Sequence, residues 1–188
     1  EIVESGITNI SDLDLGVDVG LVMTPPFQMM NKVGIRKSFE LVEAYAKENP
    51  GFKVAEILKK QAASGKPWKI PLVLREDKGN VAIVKIRRPK VLNALNRDVF
   101  DQLKEIFTDI KKDPKIKGAV LTGFGTRAFV AGADIGMLAA LKTPEEAEAK
   151  CLQDKAILNL IENLGKPTVC AMNGLAFGGG NELAMVCS

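Results

Sequence analysis

Two segments concentrate residues that can do chemistry without a reactive side chain. One is Ala128-Phe129-Val130-Ala131-Gly132-Ala133-Asp134-Ile135, and the other runs Asn173-Gly174-Leu175-Ala176-Phe177-Gly178-Gly179-Gly180-Asn181-Glu182. Each reads as the exit of an apolar strand into a helix, which leaves unpaired backbone N–H groups at the positive end of the helix. Small residues at those places let an oxygen approach the backbone. Two such amides on one oxygen form an oxyanion hole, worth about 3–4 kcal/mol per donor when charge develops on that oxygen. Glycines can equally serve only a tight turn and close packing. Glu182 follows the glycine run. A carboxylate there can hold or activate water, or simply favour the helix N-terminus electrostatically.

The composition narrows what else can act. The 188 residues contain no histidine, which removes serine–histidine and cysteine–histidine nucleophile systems and most zinc enzymes. No metal site is expected. The net charge of +3, from 26 basic and 23 acidic residues, is interspersed and argues against nucleic acid as a partner. Cys151, Cys170 and Cys187 are odd in number, lie in apolar surroundings and lack C-x-x-C spacing. They read as buried, reduced thiols of a cytoplasmic protein. No apolar run approaches the ~20 residues that span a bilayer, and no leader pattern opens the chain. The first residue is not methionine and the last lies in an apolar run, so both ends read as cut.

The elements that must carry these loops follow from periodicity. Residues 1–70 read as short helices: a start at Ser11 and Asp12 with breaks at Gly16 and Gly20, and a second helix from Thr24-Pro25-Pro26 carrying Phe27, Met29 and Met30. Phe39, Val42 and Tyr45 mark a third, ended by Asn49-Pro50-Gly51. Val54, Ile57, Leu58 and Ala62 mark a fourth, ended by Ser64-Gly65-Lys66-Pro67. A domain boundary is expected near residues 66–78, where proline, glycine and charge concentrate. Beyond it, Val81, Ile83, Val84 and Ile86 predict a strand. Asn96 caps a helix with Val99, Phe100, Leu103, Ile106, Phe107 and Ile110 on one face. Residues 118–122 and 167–171 read as buried strands. Between them Thr143-Pro144-Glu145-Glu146 is a capping box opening a helix through Leu164. A last helix is expected from Asn181. Alternating strands and helices predict an α/β fold with a largely parallel sheet.

From about Val81 the chain resembles the crotonase, or enoyl-CoA hydratase, family. The resemblance rests on Arg88-Pro89-Lys90-Val91-Leu92-Asn93-Ala94-Leu95 and the two loops, all in family order. It implies a crotonase-like (ClpP/crotonase) ββα spiral core, truncated, over residues 71–188. It also implies a lyase that hydrates 2-enoyl-CoA to 3-hydroxyacyl-CoA in fatty acid β-oxidation, with a coenzyme A thioester as substrate and a trimer or hexamer as the assembly. On this resemblance the amides of Ala133 and Gly179 hold the thioester oxygen, and Glu182 is the first of two catalytic glutamates. Ala131, Ala133, Asp134, Ile135, Gly136 and Gly179 line the acyl-CoA site, and Lys90 reaches the CoA phosphates. Relatives often carry lysine at the position of Gly136. Asp134 can alternatively start a helix, and Lys90 can be an ordinary surface lysine. The family's second glutamate falls past Ser188, so this chain alone is expected to be inactive. Isomerase or hydrolase chemistry, or acyl-CoA binding without catalysis, are the alternatives.

Residues 1–70 resemble the end of the helical C-terminal domain of 3-hydroxyacyl-CoA dehydrogenases. Asp12-Leu13-Asp14, Gly20-Leu21 and Pro26-Phe27-Gln28-Met29-Met30-Asn31-Lys32-Val33-Gly34 carry this softer match, with Asn31 where the family has aspartate. A helical packing module explains the same residues without the family. The two resemblances together imply the middle of a bifunctional fusion. NAD would serve its dehydrogenase half, and this chain would bind no cofactor.

Overall fold

The computed structural model describes residues 2–188. The chain divides between Ile70 and Pro71 into two compact units, each with its own apolar core.

The first unit is helical: α1 (Ile10–Gly20), α2 (Pro26–Val33), α3 (Ile35–Glu48) and α4 (Glu56–Ser64). Asn9, not Ser11 or Asp12, caps α1, its side-chain oxygen accepting the Asp12 N–H at 2.9 Å. Gly16 lies inside α1 and Gly20 is its last residue, so neither breaks it early. An interior glycine costs about 1 kcal/mol, and the packing of Ile10 and Leu13 against the core opposes that cost. Pro25 offers α2 no side-chain cap. Buried Asp14 on α1 caps it instead, accepting the N–H groups of Phe27 (2.9 Å) and Gln28 (3.2 Å). Burial pushes the Asp14 carboxyl above its ordinary value, and those two N–H groups oppose the shift. Val54 precedes α4. Phe27 meets Trp68 edge-to-face at 5.0 Å. Asn31 both donates to the Trp68 carbonyl (2.8 Å) and accepts its N–H (2.7 Å), a double task that an ionised aspartate cannot perform.

The second unit is α/β. Its elements in order are β1 (Val73–Lys78), β2 (Val81–Ile86), α5 (Arg97–Lys112), β3 (Gly118–Gly123), β4 (Ala128–Val130), α6 (Ile135–Ala139), α7 (Pro144–Glu162), β5 (Thr168–Ala171), β6 (Leu175–Ala176) and α8 (Gly179–Met185). One sheet has the order β1-β2-β3-β5. β1 and β2 form an antiparallel hairpin, and the remaining pairs are parallel. A second, two-stranded parallel sheet joins β4 to β6. α5 is capped by Asn96, whose side chain accepts the Val99 N–H at 3.0 Å. It buries Val99, Phe100, Leu103, Phe107 and Ile110 in the core with Val84, Ile86, Leu121, Phe129 and Ile161.

Several sequence expectations change here. Residues 73–78, at the far end of the expected boundary and not read as a strand, are the first strand of the hairpin, because they find β2 as a partner across Gly79-Asn80. β3 is buried on alternate residues only, and β5 leaves Val169 53% exposed, since the helices cover one face and β5 is an edge strand. α7 ends at Glu162 rather than Leu164. α8 begins at Gly179, two residues before Asn181. Cys151 is exposed on α7, while Cys170 and Cys187 are half-buried against the core; all three are free thiols. Among the described residues no helix is long and apolar enough to cross a membrane.

Candidate active site

The two loops are brought together by strand pairing. β4 and β6 run parallel, with Ala128 opposite Leu175 and Val130 opposite Ala176, and Phe177 N–H continues the ladder to Val130 O at 3.2 Å. Parallel neighbours end on the same side, so the loops leaving them emerge at one end of this sheet, the first entering α6 and the second α8. Asn173 fixes the approach to β6, donating to Gly123 O (2.9 Å) and accepting Gly123 N–H (3.1 Å) at the end of β3.

The Ala133 amide is set by its own peptide plane. Gly132 O accepts Leu95 N–H at 2.8 Å, and Leu95 O accepts Asp134 N–H at 2.8 Å, an isolated parallel bridge between Leu95 and Ala133. In a trans peptide the N–H points opposite the carbonyl. With Gly132 O turned toward Leu95, the Ala133 N–H therefore faces away from it, and it has no acceptor among the described residues. On the second loop, Gly178 takes φ +46° and ψ −121°, a conformation that side chains disfavour, and turns the chain into α8. Gly180 N–H bonds Phe177 O, and Asn181 and Glu182 N–H bond Gly178 O. The Gly179 N–H, like that of Gly178 before it, lacks an acceptor among the described residues.

Glu182 lies in the first turn of α8. Its side chain is exposed and has no partner among the described residues, so the carboxylate is accessible to a water or a ligand. Ile135, Leu138, Phe177 and Met185 on the same loops and helices stand exposed, giving an apolar setting for the amides. Lys90 is exposed in a single 3-10 turn, residues Pro89–Val91. That turn lies beside the first loop, because Ala131 N–H donates to Leu92 O at 3.0 Å. Ile135 and Gly136 begin α6 and are exposed.

Asp134 is the N-cap of α6, accepting Met137 N–H at 3.3 Å. Its other oxygen accepts from the Arg88 guanidinium at 2.9 Å, and this bond holds the carboxyl below the usual carboxylate range. Sequence reasoning missed the roles of Arg88 and Asn93. Asn93 is buried at φ +59°, donates to the carbonyls of Phe124 (3.0 Å) and Ala128 (2.9 Å), and accepts Arg88 N–H at 3.0 Å. Both residues stood in a quoted motif, but partners 31 to 46 residues away leave no local signal. A cavity of about 550 Å³, lined by Phe27, Met30, Val42, Phe52, Leu58 and Trp68 among others, belongs wholly to the helical unit.

A family model described as enoyl-CoA hydratase/isomerase matches residues 76–188. The crotonyl-CoA hydratase of Syntrophomonas wolfei is 41% identical over 115 residues, covering 61% of this chain and 44% of that protein. The fatty acid oxidation complex subunit alpha of Shewanella frigidimarina is 41% identical over 114 residues, covering 60% of this chain and 16% of that protein. Among solved structures, an enoyl-CoA hydratase/carnithine racemase from Magnetospirillum magneticum superposes with a TM-score of 0.61 at 34% identity, covering 64% of this chain and 45% of that one. An enoyl-CoA hydratase from Thermoplasma volcanium gives 0.58 at 34% identity, covering 62% and 46%. The chain thus spans less than half the length of these relatives.

Proposed function

The chain belongs to the enoyl-CoA hydratase/isomerase family and its second unit has a crotonase-like fold; from that premise we propose that it is the hydratase part of an enzyme adding water across the double bond of 2-enoyl-CoA. The observation that carries the reading is the pair of acceptor-less N–H groups, Ala133 and Gly179, on loops leaving paired parallel strands, with Glu182 one helical turn beyond.

The thioester oxygen accepts from both amides. Water oxygen bonds to the β-carbon, the double-bond electrons move through the α-carbon onto the thioester oxygen as an enolate, and these electrons return as the α-carbon takes a proton to give 3-hydroxyacyl-CoA. The donors act on the enolate, where charge is greatest, and so lower the barrier rather than merely tighten binding. Glu182 holds the water and takes its proton, with the family's second glutamate supplied by the part of the protein that follows residue 188. Lys90 meets the CoA phosphates. Ala131, Asp134, Ile135 and Gly136 shape the acyl-CoA cradle, Asp134 through its cap of α6.

The crotonase resemblance adds a homo-oligomer and the reduced thiols a cytoplasmic location to this proposal, and the helical unit supports the further reading that the whole protein is a fusion with an NAD-dependent 3-hydroxyacyl-CoA dehydrogenase. Its separate core and the Pro26-Phe27 to Gly34 run speak for this. No glycine-rich dinucleotide fingerprint or histidine occurs in residues 1–188, so no step through NAD is assigned to them.

Crotonyl-CoA hydration by the full-length protein, followed as loss of the conjugated thioester's ultraviolet absorbance, tests the reading. Glu182→Gln is expected to lower the rate about 10²–10⁴-fold while leaving NAD-linked oxidation intact. Unchanged hydration would return Glu182 to a role in helix-end electrostatics.

A further inference from the structure

We infer that Arg88 is a positioning residue for the oxyanion donor at Ala133, acting through Asp134 and Ala94. The inference rests on the assignment of Ala133 as a donor in the preceding subsection.

The guanidinium divides its bonds between the two strands of the Leu95–Ala133 bridge. Nη1 donates to Ala94 O at 2.6 Å, one residue before Leu95, and Nη2 donates to Asp134 Oδ2 at 2.9 Å, one residue after Ala133. One side chain therefore spans the pair whose geometry sets the direction of the Ala133 N–H. The arginine is itself anchored, since its own N–H donates to Asn93 Oδ1 at 3.0 Å. Asp134 is shared between this ion pair and the cap of α6, so Arg88 also fixes where α6 begins.

Burial makes the clamp firm. The side chains of Arg88 and Asp134 are only 17% and 22% exposed, which shields the pair from water and salt. Arg88 differs in this from Lys90 two residues on, whose exposed side chain lies on the surface of the same turn. A planar guanidinium meets both acceptors at once, whereas an ammonium on a flexible stem does not reproduce the fork.

The test uses the full-length protein with butyryl-CoA, a saturated thioester isotopically labelled at its carbonyl, read by difference infrared spectroscopy. In the unaltered protein the bound carbonyl band lies below its frequency in free solution. Arg88→Met and Asp134→Asn, the latter keeping a side chain able to cap α6, return the band toward the free value. They lower kcat for crotonyl-CoA about tenfold to a hundredfold, less than removal of a donor, with KM moved less than about threefold. Arg88→Lys gives an intermediate band. Thermal melts of each variant separate a misplaced donor from a lost fold. Wild-type bands and rates in both Arg88→Met and Asp134→Asn would overturn the inference and leave the hydratase reading standing. So would loss of fold in all three variants, which would make the clamp a folding element. A band that is undisplaced in the unaltered protein would instead sink the assignment of Ala133 on which the inference stands.

Discussion

Replacing Gly180 by alanine should separate the second loop from the first. A Cβ at this position would lie 2.1 Å from Val130 O and 2.9 Å from both the carbonyl carbon and the Cβ of Val130. Ordinary contact begins near 3.4 Å, so α8 and β4 must part by about 1.3 Å. Val130 is fully buried in β4 and its carbonyl accepts the Phe177 N–H, so the strand cannot yield cheaply. α8 moves instead and takes the Gly179 N–H with it. Overpacking costs about 1–3 kcal/mol, and weakening the Phe177–Val130 bond adds about 1 kcal/mol. Taking about 3 kcal/mol in total, and about 4 °C per kcal/mol for a unit of this size, the melting temperature falls by about 12 °C. A donor displaced by about 1 Å costs about a hundredfold in rate. Calorimetry and crotonyl-CoA hydration on the full-length protein measure both. Gly179→Ala is the stability control, because its Cβ would meet only the tip of Leu95 at 3.2 Å, and its melt should drop much less. If Gly180→Ala melts within about 2 °C of the unaltered protein and hydrates at the same rate, the close approach of α8 to β4 does not set the donor.

The Arg88 hydrogen bond lowers the Asp134 carboxyl, so the stability it contributes is fully present above the ordinary carboxylate value. It is lost as pH falls through the lowered one, below about pH 4. Urea midpoints followed down from pH 5 should therefore decline less steeply for Asp134→Asn; equal slopes would mean that the pair is not formed in solution. Cys151 should be alkylated first by iodoacetamide at pH 8. Burial, with the neighbouring Cys187 thiol second, pushes the Cys170 thiol up to about 11. Its thiolate is then scarcer by about a hundredfold or more, and peptide mass spectrometry showing equal rates would contradict that burial.

Much of the fold was written locally. Asn96 before Val99 and Phe100, and Thr143 before Pro144 and Glu146, announce α5 and α7, because a cap satisfies its own helix's first N–H groups and needs nothing distant. The two loops were likewise visible as small residues between an apolar strand and a helix, and the family followed from their order. The misjudged strands share one cause: local sequence does not show who the neighbour is. Residues 73–78 carry too much charge to read as a strand until β2 lies across from them, and β5 reads as buried until its place at the sheet edge leaves Val169 exposed. The site divides in the same way. Residue types marked the two loops and Glu182, since small residues, glycines and a carboxylate are local properties, and the family resemblance singled out Ala133 and Gly179 within them. Which amides lack acceptors was decided by the Leu95–Ala133 bridge and by the turn into α8. Arg88 became part of that decision only when folding carried it to a carboxylate 46 residues away, because an ion pair depends on distance in space and leaves no periodicity along the chain.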